Sequence, residues 1–198
     1  MIGKSRLRPW RCWPRSTAVV VLGQRAKYHA GMRLTVLVLG LTLTILSPLV
    51  RAADGDSIES VTKAAYEVIS GPAGPRNWDR FRSLFAEGAR LIVVRVSGGR
   101  PSPVVMTVED YVTRSGASMQ TNGFYESEVA RRIETFGNIA HVFSTYESRR
   151  TPGDKPFARG INSFQLVKDG DAWKVMTILW DSEREGNAIP EKYLTSPK

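Results

Sequence analysis

The sequence predicts an α+β fold in which three N-terminal helices pack in the concave face of a curved, mostly antiparallel sheet, forming a cone-shaped barrel. Apolar residues recur every three or four positions in three segments between residues 56 and 119, which is the period of an amphipathic helix. From Phe124 onward the pattern alternates, and two glycine-containing turns separate paired strand-like runs. Alternation around such turns is typical of antiparallel hairpins.

Residues 1–52 have the pattern of a leader that precedes this domain. Thirteen uncharged residues run from Leu34 to Leu46, directly after Arg33. Small residues at Val50 and Ala52 then match the −3 and −1 positions of a signal-peptide cleavage site. A membrane-spanning helix needs about 20 apolar residues, so the run favours a cleaved signal over the alternative of an uncleaved anchor.

The predicted domain boundaries follow from this leader. A signal usually begins with methionine and a basic residue, so Met32 is the predicted start of translation. Cleavage after Ala52 leaves residues 53–198 as one domain. We therefore expect an exported protein, periplasmic or extracellular, that meets a membrane only through its export signal.

The charge of the chain belongs to the leader. The sequence has 28 Lys+Arg against 19 Asp+Glu, a net charge of +9. Nine of those basic residues and none of the acidic ones lie in residues 1–52, so the remainder carries 19 of each sign. Nucleic-acid binding requires a basic surface on the folded domain, and the predicted domain has no excess of positive charge. No nucleic-acid partner is expected.

The rare residues exclude several kinds of chemistry. The single cysteine, Cys12, and His29 lie in the leader, which leaves His141 as the one histidine of the domain. Disulfide frameworks, thiolate zinc sites and multi-histidine metal sites are therefore absent. The sequence predicts neither a metal site nor a cofactor.

The first two helices are predicted from caps and apolar spacing. Asp56 and Glu59 have the spacing of a capping box, and Gly71 ends the first helix. Asn77 is the predicted cap of the second helix, which Gly88 ends. The apolar residues on one side of these helices are Ile58, Val61, Ala65, Val68, Trp78, Phe81, Leu84 and Phe85.

Two short strands and a third helix follow. Leu91–Val96 and Val104–Met106 are the predicted strands, separated by a segment rich in glycine and proline. Thr107 and Asp110 repeat the capping spacing. The third helix is expected to end near Gly116 or Met119.

The last part of the chain predicts two hairpins. Phe124–Phe136 and Ile139–Arg150 flank the turn Gly137-Asn138. Arg159–Lys168 and Ala172–Glu183 flank the turn Asp169-Gly170. Because side chains alternate between the two faces of a strand, the turn position decides which residues point into the core.

In the first hairpin, a two-residue loop predicts an apolar inner face. The inner pairs are Ile133/Val142, Val129/Tyr146, Arg131/Ser144 and Thr135/Ala140. The charged outer pairs are Glu128/Glu147, Arg132/Phe143, Glu134/His141 and Glu126/Arg149. An inward arginine is costly unless it is paired, so Arg131 is expected to meet an internal carboxylate or a ligand.

In the second hairpin, the predicted inner face grades from bulky apolar residues at the turn to polar residues at the open end. The inner pairs are Leu166/Trp173, Phe164/Val175, Asn162/Thr177, Gly160/Leu179 and Ala158/Asp181. Such a gradient is typical of a pocket with a closed bottom and a polar mouth. The predicted ligand-binding residues are Arg131, Tyr146, Asn162, Thr177 and Asp181. The semi-apolar outer face, with Ile161, Met176, Ile178 and Trp180, is either solvated or a homodimer face.

Three segments carry a resemblance to a known family. They are Trp78–Phe85, Phe136–Val142 with Tyr146-Glu147, and Gly160–Leu166 with Asp169–Val175. In this order the segments resemble the nuclear transport factor 2-like superfamily, in particular its SnoaL-like group. The resemblance implies a cone with a central cavity, often in a dimer. It also implies one of several functions found in that superfamily, which includes ketosteroid isomerases, polyketide cyclases, dehydratases and binding modules without catalysis.

The leading functional hypothesis is an exported, non-catalytic domain that binds a small apolar or amphipathic molecule in the cone. One alternative is an isomerase, cyclase or dehydratase in which Asp181 acts as the base and Tyr146 or Arg131 stabilises an oxyanion. Another alternative is a protein-interaction module that acts through its outer sheet face.

Overall fold

The structure, a computed structural model, describes residues 53–197. The predicted leader and the start at Met32 lie outside the described residues. Within the described part of the chain, no helix combines the length and the apolar character needed to cross a membrane.

Three helices and six strands make up the described domain. The helices are α1 (Ile58–Ile69), α2 (Trp78–Ser83) and α3 (Val108–Thr121). The strands are β1 (Phe85–Ser97), β2 (Arg100–Met106), β3 (Tyr125–Phe136), β4 (Ile139–Arg149), β5 (Ala158–Asp169) and β6 (Ala172–Ser182). A short 3-10 helix, Glu191–Tyr193, follows.

The strands form one curved, mixed sheet in the order β2-β1-β6-β5-β4-β3. Only β1 and β6 pair in parallel, and the other neighbours are antiparallel. The predicted α+β class is therefore confirmed. One hydrophobic core joins the helices to one face of this sheet, with Val61, Phe81 and Met119 from the helices packed with Val142 and Phe164 from the strands.

The helix caps agree with the sequence in two of three cases. Asn77 caps α2 and Thr107 caps α3, the latter in a capping box with Asp110. The prediction for α1 is wrong, because Ser57 is the cap and its hydroxyl accepts from the backbone N–H of Ser60. The carboxylate of Asp56 accepts a hydrogen bond from the backbone of Ala53 instead.

The first strands are longer than predicted. β1 begins at Phe85, which pairs with Val175 of β6, so the predicted end of the second helix at Gly88 is wrong. β2 begins at Arg100 despite its two prolines, because it is an edge strand with a row of unpaired backbone positions. The two strands are joined by Gly98 and Gly99, both at positive φ.

The first hairpin follows the predicted register only near its turn. From Phe136↔Ile139 to Ala130↔Thr145 the pairs are as expected, and His141 lies opposite Glu134 on the outer face. A bulge then leaves Val129 without a partner, so the predicted pairs Val129/Tyr146, Glu128/Glu147 and Glu126/Arg149 are wrong. Glu128 faces Tyr146 and Glu126 faces Ser148. The extra residue reverses the alternation and turns both glutamates into the interior.

The predicted register of the second hairpin is wrong. The loop is Gly170-Asp171, closed by the pair Asp169↔Ala172, rather than Asp169-Gly170. Both hairpins begin their loop with a glycine at positive φ, 56° for Gly137 and 60° for Gly170, as tight two-residue turns require.

A second irregularity near Met176 changes which residues of β6 face the core. Leu166 pairs with Val175, but Gln165 pairs with Thr177. Beyond this point Ile178, Trp180 and Ser182 face the helices, and Thr177, Leu179 and Asp181 face outward. The assignment of Ile178 and Trp180 to an outer surface is therefore wrong.

Candidate ligand-binding cavity

A cavity of about 320 Å³ lies between the helices and the inner face of the sheet. Its enclosed end is apolar, lined by the buried side chains of Phe81, Leu91, Phe164 and Ile178. Its open end is formed by exposed residues, which are Ser118, Asn122, Arg150 and Phe157. A volume near the lower end of the range of about 300–1,000 Å³ suits a small organic molecule.

Glu126 places one carboxyl group in the wall of this cavity. The hydroxyl of Ser148 donates to its Oε2 at 2.8 Å, and the side-chain amide of Asn162 lies 3.4 Å from its Oε1. Burial among protein atoms raises the pKa of Glu126 to about 7, and these two donors offset only part of that effect. The carboxyl group can therefore exchange a proton near neutral pH.

A chain of hydrogen bonds leads from Glu126 to a second glutamate. Asn162 also donates to the hydroxyl of Tyr66 at 3.1 Å, and that hydroxyl lies 2.7 Å from the hydroxyl of Ser144. Ser144 donates to Glu128, so Tyr66 is the donor to Ser144. We call this set the inner polar network; its members are Tyr66, Glu126, Glu128, Arg131, Ser144, Ser148 and Asn162.

Arg131 closes the network at its far end. Its Nε donates to Oε1 of Glu128, which supplies the internal carboxylate that an inward arginine requires. Glu126 differs from Glu128, because its hydrogen-bond donors are the neutral hydroxyl of Ser148 and the neutral amide of Asn162. The two glutamates therefore have different environments, one paired with a cation and the other in contact with the cavity.

Three tyrosines lie close enough to Glu126 for its charge to affect their pKa values. Burial raises the pKa values of Tyr66, Tyr111 and Tyr146 above the ordinary value of 10, and the charge of Glu126 acts in the same direction. All three hydroxyls therefore stay protonated at neutral pH and can donate hydrogen bonds. Tyr111 and Tyr146 line the cavity together with Trp180.

Gly160 permits the position of Tyr146. The hydroxyl of Tyr146 lies 3.1 Å from that of Ser182, which is on the strand beyond Gly160. A Cβ atom at position 160 would lie 2.7 Å from the tyrosine hydroxyl and 2.3 Å from the carbonyl oxygen of Asp181. Only glycine leaves room for the ring to cross this strand.

Comparison with solved structures finds this architecture in bacterial proteins. An NTF2-like protein of unknown function from Pseudomonas putida KT2440 is 10% identical, with a TM-score of 0.51 over 68% of this chain and 92% of that one. A protein of the NTF2-like family from Streptomyces avermitilis, named as a candidate dehydratase, is 12% identical, with a TM-score of 0.50 over 66% and 96%. A Nostoc punctiforme protein with a cystatin-like fold is 10% identical, with a TM-score of 0.50 over 64% and 88%.

The chain has the nuclear transport factor 2-like fold. Identities this low establish the fold alone. No family model matches the sequence, and no curated protein matches it.

Two of the five predicted ligand-binding residues line the cavity of this NTF2-like domain. Tyr146 and Asn162 are both buried there. Arg131 is on the same face of the sheet but does not line the cavity, since it is paired with Glu128.

The other two predicted residues, Thr177 and Asp181, lie on the opposite face. Asp181 accepts hydrogen bonds from the guanidinium of Arg184, at 2.5 Å, and from the backbone of Ser182. The structure therefore does not bring Asp181 and Tyr146, the two candidate catalytic residues, to one point. The physical reason is the irregularity near Met176, which reverses the alternation of β6.

Sequence reasoning missed Glu126, Tyr66, Tyr111, Trp180 and Arg150. For Glu126, a signal was present in the adjacent apolar pair Val129-Ala130, which interrupts an otherwise alternating strand. An interruption of this kind is typical of a bulge. Tyr66 and Tyr111 lie on helices. The spacing of apolar residues there predicts burial in the core, but it does not distinguish a side chain in a cavity wall from one that is fully packed.

The described residues contain no cluster of side chains that could bind a metal ion. Within residues 53–197, no three histidine, cysteine, aspartate or glutamate side chains are grouped closely enough to hold an ion.

Proposed function

We propose that this protein is exported and binds a small, mainly apolar molecule in the cavity, with one polar group of the ligand against Glu126. The observation that carries the proposal is the combination of an enclosed apolar end, lined by Phe81, Leu91 and Phe164, with a single carboxyl group in the wall. Apolar surface supplies affinity, whereas one fixed polar group orients the ligand. This is the binding mode expected of the SnoaL-like group.

The protonation of Glu126 decides which ligand group it accepts. Below its pKa of about 7 the carboxyl group donates a hydrogen bond to a carbonyl oxygen. Above that pKa the carboxylate accepts one from a hydroxyl group. The hydroxyl of Tyr146, which also lines the cavity, supplies a further polar group.

A neutral bicyclic ketone, 2-tetralone, tests this proposal. We expect it to bind with a stoichiometry of one, measured by isothermal titration calorimetry. Ser118→Phe places a ring at the cavity mouth and should weaken binding about tenfold or more. Ala117→Phe is the matched control, since Ala117 is exposed on the same helix and does not line the cavity. Equal affinities in the two variants would contradict the proposal.

A second candidate function is an enzyme of the isomerase, cyclase or dehydratase kind, with Glu126 in place of Asp181 as the base. The observation that favours it is the pKa of about 7 for Glu126, which suits a general base at neutral pH. The Streptomyces avermitilis neighbour named as a candidate dehydratase has the same fold. Tyr111 or Tyr146 would donate to the developing oxyanion.

The same 2-tetralone sample distinguishes the two functions. A base that removes a proton beside the carbonyl exchanges it for deuterium in heavy water, which proton NMR follows directly. The enzyme hypothesis expects exchange that Glu126→Gln abolishes. A binding module expects bound ketone whose exchange does not exceed the buffer rate.

A further inference from the structure

Arg150 is the only basic residue among the described residues that line the cavity. It is exposed at the open end and its hydrogen bonding is sparse, with one contact of 3.4 Å from Nη1 to the carbonyl oxygen of Gly123. The neighbouring arginines of the sheet differ, since Arg149 and Arg159 are paired with glutamates. Within residues 53–197, no carboxylate is recorded within ion-pair distance of Arg150.

Aromatic packing holds this guanidinium at the mouth. Its central carbon lies 4.4 Å from the centroid of the Phe157 ring, which is the geometry of a cation–π contact. Phe157 is fixed in turn by a backbone hydrogen bond to Ser148 and by its contact with Phe124. The donors of Arg150 are therefore placed before any ligand arrives, which reduces the entropy lost on binding.

Arg150 lies on the same side of the sheet as Glu126, because both residues line the cavity. Glu126 pairs with Ser148, and Arg150 follows Ser148 by two residues. Arg150 is the first residue after β4 and is exposed, so it lies nearer the open end than Glu126. A ligand whose apolar body fills the enclosed end would leave its head group beside Arg150.

We propose that the ligand of this cavity is an apolar monocarboxylic acid whose carboxylate pairs with Arg150 at the mouth. A guanidinium presents parallel N–H donors that match the two oxygens of a carboxylate. The cation of Arg150 at the rim matches one anionic head group, whereas the apolar residues Phe81, Leu91 and Phe164 at the enclosed end match an apolar chain that passes Glu126. The inference rests on the proposed binding function, because it assigns a ligand class to the same cavity.

The test compares octanoate with 1-octanol, which share an apolar chain and differ in the charge of the head group. Calorimetry at low salt should show octanoate binding about tenfold more tightly than 1-octanol, as expected for a charge-assisted hydrogen bond. Arg150→Gln should remove this preference by lowering the affinity for octanoate about tenfold, to that for 1-octanol. Arg114→Gln is the control, because Arg114 is an exposed arginine of α3 that does not line the cavity.

The outcomes separate this inference from the function on which it rests. Equal affinities for octanoate and 1-octanol in the native protein would overturn the role of Arg150 and leave cavity binding intact. A loss of both ligands in Arg150→Gln would also overturn it, since the arginine would then only shape the cavity. If neither octanoate nor 1-octanol binds, the proposed ligand class fails, and the proposed binding function fails with it only when 2-tetralone does not bind either.

Discussion

Glu126 and Glu128 are two residues apart on one strand, yet they meet different surroundings. Glu128 receives the guanidinium of Arg131 and the hydroxyl of Ser144. Glu126 receives two neutral donors and borders the cavity. Without a cation beside it, burial disfavours the charged form of Glu126, which raises its pKa from 4.5 to about 7. The carboxyl group with the raised pKa is thus the one that the inner polar network leaves without a basic partner.

This difference predicts a pH-dependent contribution to stability. The pKa of Glu126 is raised in the folded state, so below pH 4.5 the carboxyl group is protonated in both states and no charge is buried. The free energy of unfolding falls as the pH rises from 4.5 through 7, because only the folded protein still holds the proton in that range. A shift of this size corresponds to a loss of about 3 kcal/mol in the free energy of unfolding between pH 4 and pH 8. Glu126→Gln should remove this loss, so urea unfolding should show the variant gaining stability relative to the native protein as the pH rises.

An exposed glutamate supplies the control for that experiment. Glu87 lies on the surface of β1, and Glu87→Gln should leave the pH profile of unfolding unchanged. Parallel profiles for the native protein and Glu126→Gln would show that the carboxyl group is not buried as described.

Two irregularities in the strands build the cavity. The bulge at Val129 turns Glu126 and Glu128 inward, and the one near Met176 turns Trp180 inward. A regular ladder would have presented all three side chains to solvent. Bulges are frequent beside functional sites, because one added residue moves the side chains beyond it to the opposite face of the sheet.

Deletion of Val129 tests the geometry of the first bulge. Val129 has no partner in the ladder and is 42% exposed, so its removal leaves Ala130 opposite Thr145 and Glu128 opposite Tyr146. We expect the deletion variant to fold, at a cost of about 1–2 kcal/mol for the altered twist. It should also retain the pH-dependent loss of stability that Glu126 causes.

The decisive comparison is Glu126→Gln in the deletion background. If the deletion keeps Glu126 inside, this second change removes the pH dependence as it does in the native chain. An absence of any effect would mean that the strand had moved Glu126 to the outer face.

At the scale of the whole molecule, the outer face of the sheet carries an apolar row. Val105 of β2 pairs with Ile92 of β1, which pairs with Leu179 of β6. Val105 is 57% exposed and Leu179 is 39% exposed. Exposed apolar surface that is continuous across three strands favours self-association. Of the two alternatives that the sequence left open for the outer face, solvated or homodimeric, we therefore predict the homodimer, formed through these residues.

Sedimentation velocity tests that assembly. We predict a dimer for the native protein and a shift toward monomer for Leu179→Lys, because a charge in an apolar interface is costly unless paired. Gln165→Lys is the control on the same face, since Gln165 is exposed and polar. A native protein that sediments as a monomer throughout the micromolar range would contradict the prediction.

The sequence alone determined the class of the fold, the caps Asn77 and Thr107, the register next to the Gly137-Asn138 turn, and the outward position of His141. These features depend on local patterns, such as a cap three residues before its partner or a glycine that starts a tight loop. The leader and export remain predictions from the same kind of pattern.

Only the tertiary structure decided which polar groups enter the cavity. The alternation of a strand predicts its faces only while the ladder is unbroken, and each bulge reverses every prediction beyond it. Glu126 therefore replaced Asp181 as the candidate base, although the sequence predicted both residues to lie on hairpin strands. The physical reason is that a bulge is selected by the packing of the whole sheet around the helices, which a single strand's sequence does not contain.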